Sequence, residues 1–267
     1  MVSLEEYLAV AYYGMDEERR RDGMREAIAI LIDNGQYREI IDRVANERSP
    51  IQTHDLMDSV ELAAIKSKEL AAGEGKVEKL LGMSKDEILS EALRDTCIIT
   101  AIGVCTDTGD YKTLLKMKID QSLKPDLRET AGRALDLVVS AEIEICEDPE
   151  NPDPQGLVEI VATEGLESEQ RVEALNKALV MCRKEDRPAT YGALLALTRI
   201  KLPQEMVGIE NVPTQIDALL REKTARLVQK PGYNERTTDE LSRPRSKPVE
   251  AGVDGSRAPS ARRSRSR

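Results

Sequence analysis

The chain has no phenylalanine, no tryptophan and one histidine in 267 residues. Aromatic rings normally supply much of the buried area of a thick core. Burial here falls to Leu, Ile, Val, Ala and Met, which suit many thin interfaces between closely spaced helices. Long alternating runs of β-branched and aromatic residues are missing, which argues against an all-β fold. No stretch approaches the ~18 apolar residues needed to span a bilayer. Met1-Val2-Ser3-Leu4-Glu5-Glu6 has no basic or apolar leader region, so no signal peptide is expected; Ser3 and Glu6 read instead as a box that caps a helix.

Chemistry is scarce for the same reason. His54 stands 43 or more residues from the nearest cysteine, so neither a zinc site nor a Ser-His-Asp set can be built around it from the sequence. Cys97, Cys105, Cys146 and Cys182 lack CxxC spacing and read as reduced, packed thiols of a cytoplasmic or nuclear protein. Glycine-rich phosphate loops are absent, and Gly73-Glu74-Gly75-Lys76 is too short to wrap a phosphate. Glu147, Asp148, Glu150 and Asp153 lack the ligand ladder of a calcium loop and read as a solvated connector. The reading is therefore of a chain with no catalytic residues, no cofactor and no metal.

What the sequence does have is a repeat. Tyr-x-x-(Leu/Ile)-(Leu/Ile) occurs at Tyr37, Tyr111 and Tyr191, 74 and 80 residues apart, and each copy is closed by a proline, at Pro50, Pro125 and Pro203. A long period in a helical sequence signals stacked supersecondary units. Laid over one another with an offset of 74, Ala27, Ile28, Asp33, Gly35 and Tyr37 fall on Ala101, Ile102, Asp107, Gly109 and Tyr111. The two glycines stand where a left-handed residue would close a helix. Apolar stripes at steps of three and four place Leu56, Val60, Ala63, Ala64 and Leu70 on one helix face. The same spacing groups Leu127, Ala131, Ala134, Leu135, Val138 and Ile145, and then Val172, Leu175, Leu179 and Cys182. A second capping box, Ser84 with Glu87, predicts a helix over 84–107.

These signals predict an all-α chain of twelve helices in three four-helix units, about 1–72, 73–147 and 148–229, making one repeat domain over 1–229. Its last helix is expected over 204–229, broken near Pro213. A compact all-α bundle is the alternative. Residues 230–267, rich in Arg, Ser and Pro, are expected to be a disordered basic tail.

Gly109-Asp110-Tyr111-Lys112-Thr113-Leu114-Leu115, followed by Pro125-Asp126-Leu127-Arg128-Glu129-Thr130-Ala131-Gly132-Arg133-Ala134-Leu135, resembles a HEAT repeat. The likeness lies in the G-D-x-x-x-L-L opening and the P-x-L-R-x-x-A-x-x-A-L second helix. It is best over 109–139, partial over 35–64, where Thr53 replaces the arginine, and weak over 188–225. HEAT and armadillo kinship implies a right-handed α-solenoid of about six hairpins and carries no functional residue with it.

Charge divides the chain in two. From Leu241 onward eight basic and two acidic residues give +6, leaving −16 on residues 1–240. An acidic helical array favours basic polypeptide partners, so the expected function is that of a non-enzymatic scaffold or adaptor. The terminal arginines Arg257, Arg262, Arg263, Arg265 and Arg267 read as contacts for nucleic acid or an acidic partner, or as a segment that folds back over the acidic body. Two alternative functions remain: a nucleic-acid-associated protein acting through the tail, and a lyase-like subunit of an enzyme complex, as some HEAT-like proteins are.

Overall fold

The computed structural model describes residues 3–44, 53–185, 187–200, 202 and 212–228. Among these residues the chain is entirely helical, with twelve α-helices. The first six are α1 (Leu4–Tyr13), α2 (Glu17–Asp33), α3 (Tyr37–Glu39), α4 (Thr53–Gly73), α5 (Val77–Ser84) and α6 (Glu91–Thr108). The rest are α7 (Tyr111–Ile119), α8 (Pro125–Cys146), α9 (Pro154–Ala162), α10 (Ser168–Lys184), α11 (Pro188–Arg199) and α12 (Val212–Val228). A π-helical turn over Ile40–Val44 continues α3. Expectations that fall on 45–52, 203–211 or 229–267 lie outside the described residues. They include Pro50, Pro203, the start of the last helix near 204, and the disordered tail.

Local chemistry explains most of the ends. The Ser3 hydroxyl accepts from the Glu6 amide while the Glu6 carboxylate accepts from the Ser3 amide, so the predicted box opens α1. Pro125, Pro154 and Pro188 each begin a helix, where a missing N–H costs nothing. Gly35 and Gly109 both adopt left-handed φ, at 64° and 72°, as the overlay of the repeats requires. Their partners in that overlay also correspond, because Ala27, Ile28, Ala101 and Ile102 are all buried.

Three expectations fail. Residues 84–90 are not the start of α6. Ser84 ends α5 and donates its hydroxyl to the Leu81 carbonyl, and α6 begins only at Glu91. The third tyrosine is out of step with the other two: Tyr37 and Tyr111 open their helices, whereas Tyr191 lies one turn inside α11. No glycine precedes it, so α10 ends on an extended Glu185 and Pro188 sets the next start. Ile145 is 62% exposed and Leu70 38% exposed, although both were expected in buried stripes.

Each helix packs against helices one or two places away in chain order, with no more distant pairing of comparable size among the described elements. Consecutive helices pair as α1/α2, α3/α4, α5/α6, α7/α8, α9/α10 and α11/α12. The even-numbered helices also touch in sequence, from α2 through α4, α6, α8 and α10 to α12. Cross-links fix their directions. Lys124 before α8 pairs with Glu91 and Asp95 at the start of α6. Gln170 and Lys177 of α10 reach Asp136 and Glu147 on and just past α8, in the same order. Lys223 of α12 donates to the Glu185 carbonyl at the end of α10. Helices α6, α8 and α10 are therefore parallel, while the end of α10 meets α12 at both Gln215 and Lys223. The odd row behaves likewise, with Lys112 and Lys118 of α7 pairing in order with Glu159 of α9 and Glu167 beyond it.

The aliphatic interior forms two clusters. Leu93 and Cys97 of α6 belong to the cluster that includes α1–α4, while Ile98, Ala101, Ile102 and Cys105 belong to the other. One helix thus gives each cluster a side. Adjacent to this passage Asp86, 6% exposed, accepts hydrogen bonds from the Tyr37 hydroxyl at 3.0 Å and from the Arg38 guanidinium at 2.9 Å. This latch draws loop 85–90 onto α3 and buries Leu89, which is why the Ser84–Glu87 box does not form.

Candidate functional site

The cysteines are all buried. Desolvation by burial pushes the thiols of Cys105, Cys146 and Cys182 up to about 11 and raises that of Cys97. Thiolate, the reactive form, is therefore scarce near neutral pH. His54 falls in the first turn of α4, and its side chain lies outside what is described. Among the described residues no three His, Cys, Asp or Glu side chains gather as a metal site, and no helix is long and apolar enough to cross a membrane.

The charged motifs have local uses. In the run Arg19–Arg21, Arg19 pairs with Asp16 and Arg21 with Glu17. In the acidic connector, Glu147 pairs with Lys177, Asp148 accepts from the Glu150 amide, and Asp153 caps α9 through the Gln155 amide. The arginines Arg257, Arg262, Arg263, Arg265 and Arg267 lie outside the described residues.

The feature that calls for a functional reading is on the even-numbered row. Of the large apolar side chains left exposed, Leu62 and Ile65 of α4, Ile99 of α6, Leu137 of α8 and Val180 of α10 each lie opposite their helix's buried stripe. The parallel course of α6, α8 and α10 brings their positions onto one face, and Leu62 and Ile65 hold the outward positions on α4, which packs against α6. Single exposed aliphatics need no explanation, but a row of them across four adjacent helices does. Charged residues flank them, with Glu69, Glu129 and Glu173 paired to Lys66, Arg133 and Lys177 on the same helices, and Asp58, Glu144 and Glu169 also nearby.

Between α6 and α8 this face deepens into a groove of about 420 Å³. Its lining runs from Thr106 to Gly109 on one side and includes Leu137, Val138, Ala141, Glu142 and Ile145 on the other. The groove exists because α6 ends at Thr108 while α8 continues to Cys146, leaving the last turns of α8 uncovered on that flank. That missing cover is why Ile145, on the predicted stripe, stays exposed while Ile143 and Cys146 are buried instead. Asp107 and Glu142 are the charged residues of the lining, and the C-terminal end of the α6 dipole adds to their negative sign. An apolar floor with a carboxylate rim suits a ligand having an aliphatic stem and a cationic head, as lysine and arginine have. Sequence periodicity could not reveal this groove, because it depends on where a neighbouring helix stops.

No family model, curated protein or solved structure matches the chain.

Proposed function

We propose that the chain is a non-enzymatic interaction scaffold, an α-solenoid of HEAT-like hairpins that binds a basic, aliphatic polypeptide across its even-numbered helices. The observation that carries this reading is the row of exposed aliphatics on α4, α6, α8 and α10, with the acidic groove between α6 and α8 in its middle. The restriction of packing to near neighbours supports the solenoid, since stacked repeats bury a core without distant contacts. Such arrays present one helix of each hairpin as an extended surface. The −16 carried by residues 1–240 supports a cationic partner.

The test is a titration with a short labelled peptide alternating arginine with leucine. Leu137→Arg removes an apolar contact and adds a repelling charge, and burying one leucine is worth about 1.5–3 kcal/mol. Affinity should fall by about ten-fold or more. Ile119→Arg, at an exposed position on α7 of the odd row, should leave it unchanged. Equal affinity for Leu137→Arg and the wild-type chain would contradict the assignment of this face.

A further inference from the structure

We propose that residues 257–267 of this chain occupy the groove between α6 and α8, so that the tail competes with any basic ligand for it. The inference rests on the binding face assigned above and names its resident occupant. Three observations carry it.

The first is charge. The groove is lined by Asp107 and Glu142 and by no lysine or arginine. Residues 257–267 contain Arg257, Arg262, Arg263, Arg265 and Arg267 and no acid. The second is chemistry. Leu137 and Ile145 are exposed beside those carboxylates, and an arginine covers such a surface with its methylene stem while its head meets the carboxylate. Between the arginines stand only Ala258, Pro259, Ser260, Ala261, Ser264 and Ser266, none of them large enough to hold the segment off the surface.

The third is geometry. Lys223 of α12 donates to the carbonyl that ends α10, and Arg183 in the last turn of α10 donates to Gln215, so α12 lies against the C-terminal end of α10. The groove opens at the C-terminal end of α6 and the last turns of α8. Neighbouring helices lie 8–10 Å apart, so two steps from α12 to α8 span roughly 20 Å. Residues 229–256 supply a connector of 28 residues, whose root-mean-square span as a coil is about 30 Å. The tether is therefore well matched to the gap, and its effective concentration at the groove is of millimolar order.

The test compares the full-length chain with a full-length variant in which the five arginines are replaced by glutamine, titrated with the arginine–leucine peptide at low salt. A tail with an intrinsic affinity near 0.1 mM, present at about 1 mM, lowers apparent affinity about ten-fold, so the variant should bind the peptide about ten-fold more tightly. Adding Asp107→Asn and Glu142→Gln to both chains should erase the difference, because the site of competition is then lost. Equal affinities for the two chains, with both still binding, would overturn the tail proposal and leave the binding face standing. Failure of both chains to bind would overturn the face as well.

Discussion

Gly35→Ala is expected to destabilise the chain by about 3 kcal/mol, and Gly109→Ala by only about 1–2 kcal/mol, although the repeat makes them equivalent. Both adopt left-handed φ, which costs a residue with a Cβ about 1–2 kcal/mol. Their surroundings differ. A Cβ at Gly35 would stand 2.7 Å from the Ser67 Cα and 2.8 Å from its nitrogen, backbone atoms of α4 that cannot turn aside. A Cβ at Gly109 would meet the Glu142 carboxylate oxygen at 2.6 Å, the far end of a flexible side chain. Forcing α4 away from the α2–α3 turn adds an overpacking cost of about 1–3 kcal/mol. The same crowding accounts for a serine at 67, buried to 1% exposure, where a larger side chain would part the helices. Urea unfolding of the two variants checks this. Equal losses would mean that the approach of α4 at Gly35 is not held in solution.

Asp86→Ala should cost about 2–3 kcal/mol, a large effect for one residue in a loop. The substitution strands the hydroxyl of Tyr37, itself buried, and an unsatisfied buried polar group costs about 1–3 kcal/mol. It also removes the carboxylate that meets Arg38. Arg38 is about two-thirds exposed, so it recovers water and contributes less than a buried partner would. Tyr37→Phe should cost about 1 kcal/mol, since Asp86 keeps its arginine. The double variant should lose less than the sum of the two, by roughly 1 kcal/mol, because the hydroxyl–carboxylate bond can be lost only once. Simple additivity would show that the latch does not couple α3 to the loop before α6.

These two sites also show what the sequence could convey. Gly35 and Gly109 were legible, because left-handed closure is a local requirement that leaves a glycine at a fixed place in the repeat. So were the capping box at Ser3 and the helix starts at Pro125 and Pro188. Ser84 and Glu87 have the same local signature as Ser3 and Glu6, yet no helix starts there. Asp86, Tyr37 and Arg38 pull that loop into a tertiary contact 49 residues distant in sequence, and no window of neighbouring residues contains it. Tyr191 misled in another way: the motif is present, but without a glycine ahead of it the helix start moved to Pro188.

The groove was illegible for a third reason. The stripe through Val138 and Ile145 has helical spacing, and spacing alone predicts burial for both. Whether a stripe residue is covered depends on how far the adjacent helix runs. Thr108 ends α6 about four residues short of matching α8, which at 1.5 Å per residue is about 6 Å of bare helix. The acidic balance of residues 1–240 did point to a cationic partner, but only the packing shows where its aliphatic part would rest.

The central claim is that the outward side of the even-numbered helices is the working surface. It is tested most directly by following Ile, Leu and Val methyl resonances while the arginine–leucine peptide is added. The account predicts that Ile65, Ile99, Leu137, Ile145 and Val180 shift together and saturate at one peptide concentration, while Ile119 and Val10, exposed on odd-numbered helices, stay in place. Shifts confined to Ile119 and Val10, or a spectrum unchanged at saturating peptide, would contradict it.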